Sequence, residues 1–263
     1  MGPVIVDIQN LEKMFEAAND AGFKGRAISE YKRIRGWVGD RINLDTARVL
    51  DFGCGQGIAA ASFALRHPKA QVTGFDIEPV NQQQLANIYR AQSGLSLPPN
   101  ISFTSAHPGE VPPGEQPFDL IYAWSVFEHV REDVMIDLFS SLKKRLAPNG
   151  LLFVQVNPLY FSPQGSHLYK YFKSPWHHLI LSLDELREGV LSAEFQPTET
   201  REWRQFLELN RLTAQDIIGR AGAAGLKRLR DQFFQTDQIP PPRLARVYNP
   251  DVLRTTEFMA LFE

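Results

Sequence analysis

A mostly parallel α/β sheet, covered by helices on both faces, is the fold class that three features of this 263-residue chain predict. Short apolar runs alternate with helix-period segments between residues 48 and 156. The runs are nearly continuous in apolar residues, as strands buried on both faces are. A glycine turn, VLDFGCGQG at 49–57, joins the first run to the first helix of the series.

Each element has its own reason. RVLDF (48–52) is a short buried strand, and the small-residue helix GIAAASFALRHP behind it stops at His67-Pro68. AQVTGFDI (70–77) is a second strand ending in Asp76. Pro79 then opens a helix with Leu85, Ile88 and Tyr89 on one face. NISFTSA forms a third strand, HPGEVPPGEQP (107–117) a loop, and FDLIYAW (118–124) a fourth strand. Met135, Leu138, Phe139, Leu142 and Leu146 make a helical stripe that breaks at PNG, and LLFVQV (151–156) is the fifth strand.

There the alternation stops. Residues 157–211 begin aromatic and Pro-rich, NPLYFSPQGSHLYKYFKSPWHHL, and turn helical after Ser182 and Glu185, which are placed as a capping box. Leu181 and Leu186 can staple that helix. Alternation resumes at LTAQDIIGRAGAAG, with Thr213 as N-cap, Leu212 and Ile217 as staple and Gly225 at the end. Apolar segments near 226–234 and 256–262 complete the sheet. The expected organisation is one domain, 1–263, with a helical N-terminal extension (1–45) and a lid-like insertion (157–211).

Composition excludes several function classes. Lys and Arg number 28 against 30 Asp and Glu, so no global field attracts nucleic acid or anionic lipid. The basic runs KKRL (143–146) and LKRLR (226–230) read as solvated faces. Cys54 is the only cysteine, which rules out an intrachain disulfide and suits a reducing, cytoplasmic setting. MGPVIVDIQN does not read as a signal peptide, and Val6 stands where a myristoylation motif needs Ser or Thr. No stable membrane insertion is expected, and the oligomeric state stays open.

The glycine turn narrows the ligand. A dinucleotide fingerprint would place its third glycine at position 58, which is Ile58, and a triphosphate loop needs a Lys that does not come until Lys69. Asp76 lies roughly 20 residues past Gly57, at a second-strand end, where a carboxylate can accept both ribose hydroxyls. An adenosine without a pyrophosphate fits best.

VLDFGCGQG, VTGFDIEP, FDLIYAWSVFEHV and LKKRLAPNGLLFV, in that order and spacing, resemble the motifs of class I S-adenosylmethionine-dependent methyltransferases. LTAQDIIGRAGAAGL and TTEFMALFE resemble that family's closing helix and last strand. The resemblance implies a Rossmann-like fold with seven strands, the last antiparallel, and cofactor and acceptor meeting at the strands' carboxyl ends. It implies that Gly53, Gly55 and Gly57 pass under the methionine part of the cofactor, with Cys54 as a small filler. It gives Asp51 to the amino group, Asp76 to the ribose, Ile77 to the adenine face, and Trp124 and Ser125 to the methionyl end. Where many relatives hold the adenine amine with an acid, FTSAHP offers Ser105 and Ala106, a weaker arrangement.

FEHV is expected to carry the acceptor chemistry, with Glu128 capping the following helix and His129 packing on it as the competing role. In several small-molecule O-methyltransferases the Glu-His-Val element lines the active site, which points to Glu128 and His129. His129 is the expected general base, with His167 and His177 as rivals on the insertion. Some relatives bind a divalent metal through Glu-x-x-Glu-His; here Ser125 replaces the first acid, and no metal is assigned. The expected reaction is methyl transfer to an oxygen of a small molecule or saccharide. A cofactor-binding scaffold without methyl transfer and a nicotinamide oxidoreductase are the alternatives. Tyr160, His167, Tyr169, Trp176 and His177 are expected to wall the acceptor pocket, with a packed mini-core as the competing role for the insertion.

Overall fold

The computed structural model describes residues 8–194 and 200–263. Met1, Gly2 and Val6, the start of the 1–45 extension, and residues 195–199 of the insertion lie outside the described residues. Seven strands form one sheet: β1 (Arg48–Phe52), β2 (Gln71–Asp76), β3 (Ile101–Ser105), β4 (Phe118–Trp124), β5 (Leu146–Val156), β6 (Arg228–Gln235) and β7 (Thr255–Phe262). Their order is β3-β2-β1-β4-β5-β7-β6, mostly parallel with the last strands antiparallel. β1 runs parallel between β2 and β4, pairing Asp51 with Gly74 on one side and Tyr122 on the other.

By compactness the chain divides into two units. The first holds the described residues up to Trp124 together with Ser141–Phe153 and Leu261–Glu263; the second holds Ser125–Ser140 and Val154–Ala260.

In the first unit, the extension folds as α1 (Ile8–Glu16), α2 (Ala21–Lys24), a π-helical turn over Gly25–Glu30, and α3 (Tyr31–Val38). Leu11, Phe15, Phe23 and Ala27 pack with Ile58 and Ala61 of α4 (Ile58–Arg66) and Leu85 and Tyr89 of α5 (Gln82–Ser93). Arg66 locks this contact. Its buried guanidinium donates to Glu12 at 2.6 Å and lies over the rings of Phe15 and Tyr31. Removing Glu12 would leave that buried charge uncompensated, a loss of about 3–5 kcal/mol for a fully buried pair and less here because Glu12 is partly exposed.

Two expectations need correcting here. α5 starts at Gln82 rather than after Pro79, because Asn81 supplies the cap, accepting from the Gln84 amide. β5 begins at Leu146 rather than 151. PNG is carried inside that strand because Asn149 takes φ 63° and Gly150 has no Cβ to collide with Ala147 and the Phe118 carbonyl. His67, at the end of α4, is buried between the Tyr31 hydroxyl (3.0 Å) and Asp45 (2.8 Å).

The second unit has cores of its own. Tyr160, Leu168, Leu186, Val190, Trp203 and Phe206 form one, drawing on α8 (Leu183–Glu194) and α9 (Arg201–Glu208), which follow the short α7 (His177–Ile180). Trp176 packs on Leu244 and Leu253, and its indole donates to the Phe161 and Leu253 carbonyls. The Ser182–Glu185 capping box is present, as is the Thr213–Asp216 box on α10 (Ala214–Ala223). Gly225 ends α10 at φ 83°. β6 is half-exposed along its length and carries Arg228, Arg230 and Asp231, the charge pattern that keeps an edge strand from pairing further. No helix among the described residues is long and apolar enough to cross a membrane.

Candidate functional site

The first unit builds the glycine loop. Gly53, Gly55 and Gly57 all have positive φ (78°, 53° and 81°), which explains the alternate spacing: each turns the chain where a side chain would strain it. The amides of Gly53 and Cys54 donate to the Phe75 carbonyl at 2.7 and 3.0 Å, tying the loop to the end of β2. The three glycines differ in purpose. A Cβ on Gly57 would sit 2.6 Å from the Phe103 ring, so this glycine serves packing; a Cβ on Gly55 would meet nothing within 4 Å and would project into open space.

Two acids serve the loop. Asp76 accepts from the Gly55 amide at 2.7 Å and from the Glu78 amide at 3.1 Å, which sets its carboxylate at the loop's tip. Asp51 is 2 % exposed, and its Oδ2 is buried without a hydrogen-bond partner. Burial pushes its pKa up to about 7; the Asp76 charge adds to this, and the Tyr122 hydroxyl and Ala60 amide offset part of it. Glu30, on the π-helical turn, is raised to about 8 by burial and by Asp51. Sequence spacing does not announce Glu30. An orphaned buried carboxylate oxygen beside a second acid suits a cation, and the α-ammonium of a methionine moiety is one.

The rest of the expected cofactor set lies around this loop. Ile77 is 57 % exposed, an apolar shelf directly after Asp76. Ser105 pairs with Asp76 in the β2–β3 register, with Ala106 next to it. Cys54 is half-buried and burial pushes its thiol well up, so it is no nucleophile. Trp124 ends β4, stacked on Phe153 and capped by the Arg33 guanidinium 5.4 Å from its ring.

The second unit begins at Ser125, which takes φ 52°. Its amide and hydroxyl donate to Gln155 Oε1, each at 3.1 Å, and Gln155 in turn donates to Glu257 at 2.7 Å. Ser125 is thus fully occupied in holding the strand end. Three residues on, the chain brings together a group that sequence spacing only half announces. Glu128, His129 and His167 each offer a ligand atom, and these atoms all lie within 4.8 Å of one another. The two imidazoles meet edge to face at 5.2 Å. Glu128 is 2 % exposed, and neither carboxylate oxygen has a hydrogen-bond partner; Nε2 of His167 is likewise buried and unpartnered. Burial pushes Glu128 up to about 8 and lowers His129. His167 falls to about 4 through burial and its neighbour His129, with the Pro158 carbonyl opposing.

Asn210 braces this group, and sequence reading missed it. Its side-chain amide donates to the carbonyls of Phe127 (2.6 Å) and Val130 (2.8 Å), and its backbone amide to that of Glu128 (3.0 Å). Phe127 stacks on Phe139 of α6 (Met135–Lys144) at 4.3 Å. The other insertion histidines do not join. His177 bonds the Ser166 hydroxyl and the Ser174 carbonyl, and His178 bonds the Tyr160 carbonyl. Trp176 is core and Tyr169 is 60 % exposed, so of the expected wall residues Tyr160 alone lines the cavity of about 370 Å³ found here. That cavity's other walls include Phe161, Leu186, Phe206, Arg211 and Tyr248.

Comparison with known proteins bears on the family and the fold. The family model described as "Methyltransferase domain" matches residues 8–227. A ubiquinone biosynthesis O-methyltransferase of Bordetella pertussis is 28 % identical over 204 residues, covering 70 % of this chain and 77 % of the relative. Coverage of the curated relatives' own length falls as low as 45 %. Among solved structures, an S-adenosylmethionine dependent methyltransferase from Mesorhizobium loti superposes with TM-score 0.52 at 17 % identity, covering 92 % of this chain and 99 % of that one. PKMT2 from Rickettsia typhi in complex with AdoHcy gives TM-score 0.51 at 20 % identity, covering 84 % of this chain and 49 % of that one. These two likenesses bear on the fold. Motifs, topology and family model converge: the chain belongs to the methyltransferase domain family, in its class I S-adenosylmethionine-dependent group.

Proposed function

We propose that this protein transfers a methyl group from S-adenosylmethionine to a hydroxyl oxygen of a small molecule. The observation that carries the reading is Asp51, a buried acid with an orphaned oxygen under a loop whose Gly55 leaves open space. The cofactor supplies a methyl made electrophilic by its sulfonium. The chain supplies the rest. Asp76 holds the ribose hydroxyls, Ile77 covers one adenine face, and Ser105 and Ala106 border its edge. Asp51, with Glu30 nearby, holds the ammonium; Gly53, Cys54 and Gly55 pass beneath the methionine portion, bordered by Trp124. Alignment of acceptor and methyl, and a place for the acceptor's proton, are what remains for the protein to provide.

The acceptor's hydroxyl loses its proton at the group formed by Glu128, His129 and His167, with His129 as the free imidazole base while the group holds no ion. Acceptor class follows from the walls of the 370 Å³ cavity, which are aromatic and aliphatic apart from Arg211 and His178. Arg211 directly follows Asn210, the brace of the Glu128–His129 turn. An apolar or aryl body with one anionic or polar oxygen for Arg211 fits better than a saccharide. The Bordetella relative is named for O-methylation, which agrees with oxygen as the methylated atom. The reducing cytoplasm is the setting we propose, in keeping with a single cysteine.

An assay with labelled methyl donor and a panel of hydroxyarenes tests this. His129→Ala should lower turnover by about 10²–10⁴ while S-adenosylhomocysteine affinity holds. A mutant with most of its turnover intact would remove the cluster from the chemistry.

A further inference from the structure

We propose that Glu128, His129 and His167 bind a divalent ion of the zinc class, leaving one coordination position open. This reverses the expectation of no metal. The loss of an acid at Ser125 weighed against a site built from one stretch of chain, but the third ligand arrives from 38 residues further on.

Geometry supports the assignment. Ligand atoms around a tetrahedral ion with bonds of about 2.0–2.1 Å stand roughly 3.4 Å apart, so atoms already within 4.8 Å need only small side-chain rotations to close. The three side chains are largely free for the role. Both Glu128 oxygens and His167 Nε2 are buried without a partner, a cost that a fold retains where a ligand repays it. The group is also held from behind: three bonds from Asn210 fix the Glu128–His129 turn. His167 keeps φ 61°, a conformation that strains a residue with a side chain.

Ligand chemistry chooses the ion. Two imidazoles and one carboxylate suit zinc, cobalt or iron; magnesium prefers an all-oxygen shell. Two histidines and one glutamate with a free fourth position is the arrangement of catalytic rather than structural zinc. The ion's role rests on the proposed methyl transfer: the acceptor's hydroxyl takes the open position, and the cation raises its acidity so that its proton passes to solvent water. The oxygen–methyl bond forms as the sulfonium carbon–sulfur bond breaks to leave S-adenosylhomocysteine. His129 is then a ligand rather than a free base.

The test uses the full chain and metal alone. After dialysis against EDTA and then buffer, Zn²⁺ titrated by calorimetry should bind with one equivalent, and Co²⁺ should give the visible absorption of a low-coordinate nitrogen–oxygen site. Glu128→Gln and His167→Ala should each weaken Zn²⁺ by at least about 100-fold, more than loss of an outer partner costs, with S-adenosylhomocysteine binding kept as the measure of folding. If His167→Ala does not fold, Glu128→Gln carries the test. The exposed His107→Ala should bind like wild type. Zn²⁺ affinity unchanged in Glu128→Gln overturns the site, whatever the protein's activity. Full methyl transfer by the EDTA-treated, metal-free protein overturns the role given to the ion and leaves the methyltransferase reading standing.

Discussion

The glycine loop of the first unit and the histidine group of the second are assembled by opposite routes. The loop is local. Gly53, Gly55 and Gly57 take their positive φ angles within one strand–turn–helix, and Asp76 closes on them from the neighbouring strand. The histidine group is assembled from distant chain: Glu128 and His129 follow β4, His167 lies in the insertion, and Asn210 braces from its far end. Backbone sterics leave a spacing in the sequence that can be read. Side chains gathered by tertiary packing leave only fragments of one, as the adjacent Glu128 and His129 do.

That contrast can be broken at the loop, where the largest effect is expected. Gly55→Val places a β-branched residue at φ 53°, a strain of about 1–3 kcal/mol, and fills the open space proposed for the methionine portion. S-adenosylhomocysteine binding should vanish while circular dichroism stays native. Tight binding by this variant would mean that the cofactor lies elsewhere.

Asp76→Ala is the middle case. It removes the hydrogen bonds proposed to the ribose and those to the Gly55 and Glu78 amides, so affinity should fall by about 1.5–3 kcal/mol, the range for bonds to a charged group. Unchanged affinity would sink the ribose assignment.

The smallest expected effect is in pH. Asp51, raised to about 7 by burial, must give up its proton to face an ammonium, so affinity should climb about tenfold between pH 6 and 8. The free fold should respond in the other direction. An acid whose folded pKa lies above its unfolded value holds a proton that the unfolded chain has lost, so Asp51 and Glu30 reduce stability as pH rises towards about 7 and 8. Flat affinity of the wild-type protein across that interval would take Asp51 out of the cofactor's reach.

Much of the fold was legible for the same reason the loop was. β1 and β4 have the bounds that their apolar runs indicate, and the Ser182–Glu185 capping box, the Thr213 cap and the Gly225 stop formed as spaced. Failures came where a local signal has two outcomes. Pro79 and Asn81 both mark a helix start, and the side chain that can accept from an amide won. PNG marks a helix end, yet with Asn149 left-handed and Gly150 bare it also fits inside a strand. In the insertion, aromatic composition could not tell a pocket wall from a core residue: Tyr160 serves the cavity while Trp176 and His177 are consumed by packing and hydrogen bonds. Glu30 and Asn210 had no signal at all, since each matters through a partner far away in sequence.

The central claim is that the loop, Asp51 and Asp76 hold an adenosine carrying a methionine chain. Calorimetric titration of the wild-type protein with S-adenosylhomocysteine, and separately with NAD⁺, tests it most directly. The account predicts saturable binding of the first with one equivalent per chain and no heat of binding from the second. Binding of NAD⁺ with no response to S-adenosylhomocysteine would contradict it.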